Sequence, residues 1–317
     1  MLTEKRLNDL SRIVMQSLNS DVLNSTNSVA RHYTECCSSL WNICLAISDC
    51  EEAGCSRDSI RAITSCFREK AGEHSNLIER MQTWPRGYAG DFETVELIVD
   101  GTNHAEPNSL SYFFEQFGLN SAMSQQHRNK IVHQAEAIVQ SIRKNKDKSR
   151  ILSLASGGCL DILYASQLEE LNEAEFVFND IDRESLELSK SRTDALGLST
   201  TFIEKDVISL LSHSEKLGKF DLIVVGGLFD YLSDKAIVFI LKNSLSHLMD
   251  SGGKFLFTNI ANNNPHRYWM EYLLDWRLIE RDEERLFDLI ERAGFSIDKV
   301  TIKKELTGLT WIVELRK

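Results

Sequence analysis

From residue 151 onward, short apolar runs alternate with longer stretches of helical period, and this alternation narrows the fold more than any other feature. Residues 151–155 (ILSLA) read as a buried strand, followed by a small-residue turn and a helix. Residues 176–180 (FVFND) form a second strand and 182–197 a second helix. Residues 201–206 and 220–227 are further strands, 233–249 a helix, 252–260 a strand, and 281–294 a helix. Such alternation predicts a parallel sheet covered by helices on both faces. Residues 295–302 and 309–315 follow as two strands with no helix between them, which predicts an antiparallel hairpin at one edge.

The first part of the chain has a different period. Over residues 1–80, Leu7, Leu10, Ile13 and Val14 recur at helical spacing, as do Leu40, Ile43, Cys44 and Ile47, and later Ile60, Ile63 and Phe67. Pro85 and Gly87 break the pattern. Helices are expected again over 91–99, 110–117 and 121 to about 143, before the polar run RKNKDKSR (143–150), read as a linker. Two domains are therefore expected: a helical N-terminal cap over 1–120 and an α/β domain over 121–317.

Composition sets limits on partners. The chain has 317 residues, 42% hydrophobic and 26% charged, enough for a sizeable core. Its net charge of −11 argues against a nucleic-acid partner. No apolar run approaches the roughly 18 residues of a membrane span, and the N-terminus shows no signal-peptide apolar region, so a cytoplasmic protein is expected. Six of the seven cysteines precede residue 70. No C-x-x-C pair occurs among them, so they are read as reduced, mostly buried thiols and no metal site is expected.

In an open parallel sheet, ligands bind outside the carboxyl ends of the strands. The first strand ends in Ala155, Ser156, Gly157 and Gly158, small residues that let a ligand approach the backbone, and the helix beginning near Cys159 offers free N–H groups. The G-x-G-x-x-G spacing of a pyrophosphate site is lacking. The second strand ends at Asp180, with Ile181 beyond it, where a carboxylate can accept from both ribose hydroxyls. Asp206, at the end of the third strand, can reach an adenine amino group, with Val207 beside it. Gly226 ends the fourth strand. Asp161 lies in the first turn of the helix after the glycines, where it either meets a cofactor ammonium or complements the helix dipole.

This constellation resembles the class I S-adenosylmethionine-dependent methyltransferases over roughly residues 120–317. The resemblance implies a Rossmann-like seven-stranded methyltransferase sheet and S-adenosylmethionine as cofactor. Ser153 stands where the family has an acidic residue, and Ala155 and Cys159 where it has glycine. The turn GYAGDFE, the pair His127–Arg128, and the stretch NNNPHRYWMEYLLDWRLIERDEE are similar to a narrower bacterial subgroup, methyltransferases that make 3-hydroxypalmitic acid methyl ester.

Gly87 and Gly90 give the turn its backbone freedom, so Tyr88 can point over the cofactor as part of a lid. Asp91 either joins the site or caps the helix that follows. Arg267 and Arg281 can pair with an acceptor carboxylate, or with Glu271, Asp282 or Glu283. Trp84, Tyr231, Tyr268, Trp269 and Trp276 either line the acceptor pocket or belong to the core. The candidate catalytic residues are Tyr88, Asp91 and Arg267. A carboxylate is already a nucleophile at neutral pH and needs no base. With no histidine in a catalytic motif, a small-molecule carboxylate acceptor is expected. Two alternatives stand beside it: N- or O-methylation of another metabolite or a peptide, and a non-catalytic cofactor- or partner-binding protein. The sequence carries no signature of an oligomeric state.

Overall fold

The computed structural model describes residues 2–18, 29–145 and 148–317. Residues 146 and 147 of the expected linker lie outside the described residues.

The chain divides into two units. The first runs to Gln125 and includes Pro265–Arg277. Its helices are α1 (Leu2–Leu18), α2 (Val29–Glu52), α3 (Arg57–Gly72), α4 (Asn76–Thr83), α5 (Phe92–Asp100), α6 (Leu110–Asn120), the start of α7 (Ala122–Lys144), and α12 (Arg267–Tyr272). Their starts follow from capping side chains: Ser56, Ser75, Asp91 and Ser109 each accept a backbone N–H three residues on, the position an N-cap satisfies. The helices bury Leu10, Leu40, Ile43, Phe67, Phe113 and Phe114 almost completely. Trp269 of α12 packs edge-on against Phe114 and Phe117, with ring centroids 6.1 and 5.4 Å apart. Ion pairs fix the same segment: Arg57 meets Glu271 at 2.9 Å, while Arg61 and Arg68 of α3 converge on Asp275.

The second unit holds Gln126–Asn264 and Leu278–Lys317. Its strands are β1 (Ser149–Leu154), β2 (Ala174–Asp180), β3 (Ser199–Glu204), β4 (Phe220–Val225), β5 (Met249–Ile260), β6 (Val300–Lys304) and β7 (Thr310–Arg316). They form one seven-stranded sheet in the order β3-β2-β1-β4-β5-β7-β6. The first five strands pair in parallel, and β7 pairs antiparallel with β5 and β6. The helices α8 (Leu160–Leu168), α9 (Arg183–Ala195), α10 (Val207–Leu211), α11 (Asp234–Asn243) and α13 (Glu283–Arg292) complete the unit with α7 from Gln126 on. Apolar clusters cover both faces: Ile138 and Ile142 of α7 join Leu222, Leu256 and Ile312 on one, while Ile237, Ile240 and Leu289 join Ile223, Phe255 and Phe257 on the other. The fold is the expected Rossmann-like methyltransferase sheet, with a helical N-terminal region.

The closing hairpin starts later than its sequence pattern suggests. Residues 297–299 form a 3-10 turn, and pairing begins at Val300 opposite Leu315. The alternation of FSIDKVTI thus covers a turn with an exposed Ile297 as well as a strand.

Candidate active site

Strand order reverses between β1 and β4, the place where open α/β sheets bind ligands at the carboxyl ends of their strands. Leu154 pairs with Val225, so the turns leaving β1 and β4 begin side by side, about 5 Å apart at strand spacing. The β1 turn has left-handed backbone at alternate residues: Ala155 (φ 51°), Gly157 (φ 54°) and Cys159 (φ 52°). Two of the three carry a side chain there, a conformation that costs roughly 1–2 kcal/mol per residue. The turn holds this shape because its polar groups are anchored. Asp180 Oδ2 accepts from Gly157 N–H at 2.8 Å, Ser189 donates to the Gly157 carbonyl at 2.8 Å, and Arg192 donates to that of Gly158 at 2.6 Å.

Asp180 is buried and its Oδ1 accepts from Asp182 N–H at 2.9 Å. Burial raises its pKa against the pull of these backbone donors. Asp161 is buried in the first turn of α8, where Oδ1 accepts from Ile162 N–H at 3.0 Å. Burial pushes its pKa up to about 6. Ser156 Oγ, also buried, has no hydrogen-bond partner among the described residues. These groups fit a cofactor with a cationic and hydroxyl-bearing edge. The Asp161 carboxylate can meet an ammonium, Ser156 has a donor to give, and Asp180 retains lone pairs for ribose hydroxyls.

The other expected cofactor contacts lie as follows. Ile181 follows Asp180 with 63% of its surface exposed, an uncovered apolar side chain at the rim. Asp206 is exposed and caps α10 by accepting from Ser209 N–H at 2.9 Å. Val207 is part of the core. Gly226 is exposed at the end of β4, and a Cβ there would run into the Gln134 amide of α7.

Tyr88, Asp91 and Arg267 belong to the helical unit. Tyr88 is half-buried in a turn that holds left-handed residues at Trp84, Gly87 and Gly90. Asp91 caps α5: Oδ1 accepts from Thr94 N–H at 3.0 Å and from Arg80 at 2.8 Å, and Oδ2 accepts from the Thr94 hydroxyl at 3.1 Å. Arg267 pairs with Glu51 and Glu271 and lies over the Tyr268 ring. Arg281 is buried in the sheet unit, donating to Asp234, Asn259 and the carbonyls of Phe229 and Leu232. Trp269 and Trp276 are buried, while Tyr231 is 39% exposed just beyond the end of β4.

Two buried ions went unread in the sequence. Lys130 of α7 and Asp230, four residues beyond Gly226, face each other at 3.9 Å. Lys130 lies within a helical pattern and Asp230 in a short 3-10 turn, and nothing local marks either one.

Residues 145–293 match the family model described as "Methyltransferase domain". These residues form a methyltransferase domain. The match takes in just under half of the chain. No curated protein matches the sequence. Among solved structures, a possible exported protein of Bordetella parapertussis is 14% identical, with a TM-score of 0.59, over 100% of this chain and 97% of that one; at this identity the likeness is one of fold. The magnesium protoporphyrin IX methyltransferase of Synechocystis, with bound SAH, is 12% identical with a TM-score of 0.47, over 62% of this chain and 87% of that one. A S-adenosylmethionine-dependent methyltransferase of Clostridium acetobutylicum is 14% identical with a TM-score of 0.42, over 60% of this chain and 91% of that one.

Proposed function

We propose that the enzyme transfers a methyl group to the carboxylate of a small molecule, forming a methyl ester. The observation that carries this reading is the weakness of the imidazole on the stretch of α7 nearest the strand ends. His127 is half-buried, and desolvation first, then the charges of Lys130 and Arg128, hold its pKa well below the ordinary value. Such an imidazole is a poor proton acceptor, which suits an acceptor that arrives already ionised. The likeness of the GYAGDFE turn to the ester-forming subgroup supports a fatty-acid carboxylate.

Bound S-adenosylmethionine supplies an activated methyl group with a neutral thioether as leaving group. The protein's part is then to position the two reactants and exclude water. On this reading Asp161 holds the cofactor ammonium, Ser156 donates to its amino-acid end, Asp180 holds the ribose, and Asp206 with Ile181 borders the adenine. The Tyr88 hydroxyl orients the acceptor. Asp91 and Arg267 are positioning residues, since their carboxylate and guanidinium are engaged by Arg80 and Glu51. The free state of all seven cysteines supports a reducing, cytoplasmic setting.

Incubation with methyl-labelled cofactor and a cell extract tests the acceptor class. Label should enter small molecules and be released as methanol by mild base, as from an ester. A base-stable labelled product would point to an amine or alkyl ether and reject the carboxylate reading.

A further inference from the structure

Lys130 has an unusual environment for a lysine. It is 4% exposed, and among the described residues its ion-pair partner is Asp230, itself 4% exposed. Their separation of 3.9 Å is too long for a hydrogen bond. A buried ion pair repays its desolvation only with close geometry and further hydrogen bonds. Asp230 has its own donor, the Ile260 N–H at 2.6 Å. Among the described residues, the ammonium has no acceptor within hydrogen-bond distance. Burial lowers the pKa of Lys130 and raises that of Asp230, so desolvation outweighs their attraction on both sides.

Three observations place this ammonium at the strand ends. Gly227, directly after Gly226, has φ +125°, and a Cβ built on it would lie 3.6 Å from Lys130 Nζ and 4.0 Å from Asp230 Oδ2. The Gly227 backbone therefore lies directly against both groups, with no side chain of its own between them. Lys130 and Gln134, one turn apart on α7, both face the Gly226–Gly227 backbone. Thr258 of β5 shares the sheet face of Leu256, which packs with α7 residues, and its buried Oγ1 has no hydrogen-bond partner among the described residues. Val225 pairs with Phe257, so Thr258 stands level with Gly226. A cation paired only at 3.9 Å and a hydroxyl with no partner among the described residues thus lie at the end of β4, one strand from the cofactor turn.

We propose that Lys130 is the specificity-determining residue for the acceptor: its ammonium, with the Thr258 hydroxyl, receives the acceptor's carboxylate at the carboxyl end of β4. Asp230 and, more remotely, Glu305 act against the burial that lowers the lysine's pKa, and the 3.9 Å separation leaves a pairing that the incoming anion completes. The inference rests on the reading of the acceptor as a carboxylate.

The test uses the full chain saturated with S-adenosylhomocysteine, titrated calorimetrically with octanoate and with octanamide, which share size and apolar tail but differ in charge. Octanoate should bind at least about tenfold more tightly than octanamide. Lys130→Met, which keeps length and removes the charge, should abolish that preference while the affinity for S-adenosylhomocysteine stays within about twofold. Lys130→Arg should retain part of the preference. The double variant Lys130→Met/Asp230→Asn, which leaves no buried unpaired carboxylate, should lose the preference with an unchanged unfolding midpoint. Octanoate that fails to bind the wild-type chain, a preference that survives Lys130→Met, or a parallel loss of S-adenosylhomocysteine affinity would each overturn the assignment. Base-stable labelled product alongside Lys130-dependent octanoate binding would reject ester formation and keep the anion site. Base-labile product without Lys130 dependence would do the reverse.

Discussion

If Asp161 and Asp180 bind the cofactor as proposed, they stand in a setting that opposes the charge they need. Burial raises both pKa values, Asp161 to about 6 from 3.8. The sign of the consequence is fixed. Asp161 favours the folded state most below its unfolded pKa of 3.8, and that contribution is lost as pH rises through about 6. Cofactor affinity runs the other way, because an ammonium is met by the ionised carboxylate. Between pH 4 and 6 affinity should rise by about tenfold per pH unit and then level off. Asp161→Asn should flatten this rise and bind weakly throughout, as read by calorimetry with S-adenosylhomocysteine at stepped pH. A wild-type profile that is already flat would remove Asp161 from the site. Asp161 and Asp180 stand out as candidates in the sequence because strand ends and helix starts are local patterns. It did not show Lys130 and Asp230, whose meaning arises from a contact across a hundred residues of chain.

The turn between α4 and α5 illustrates the limits at the level of elements. Pro85, Gly87 and Gly90 announced a turn, and Asp91 announced a helix start. Trp84 in left-handed conformation (φ 51°) was not legible, because a bulky residue takes that shape only when its surroundings impose it. Here the Trp84 N–H closes α4 on the Arg80 carbonyl, and its indole donates to Met81 O at 3.0 Å. If the turn serves catalysis as proposed, Tyr88→Phe should lower turnover by about ten- to a thousand-fold with folding intact. Wild-type turnover at saturating cofactor would make the turn a connector. Residues 265–277 show the same limit. Their motif is plain in sequence, but their pairing with Arg57 and Arg61, more than two hundred residues earlier, places them in the helical unit.

At the scale of the whole molecule, the sheet was the most legible part, since parallel strands follow from intervening helices and the closing hairpin from their absence; that β7 rather than β6 lies beside β5 depends on contacts no local pattern marks. Among the described residues, no helix is long and apolar enough to cross a membrane. Burial pushes the thiols of Cys36 and Cys44 up to about 12. The central claim is that the carboxyl ends of β1 and β2 hold S-adenosylmethionine through Asp180. Calorimetric titration of S-adenosylhomocysteine into the wild-type chain and into Asp180→Ala tests it most directly. The account predicts one site per chain and a loss of about 2–4 kcal/mol in the variant, from two charge-assisted hydrogen bonds and a loosened Gly157 turn. Equal affinity in the two proteins would contradict it.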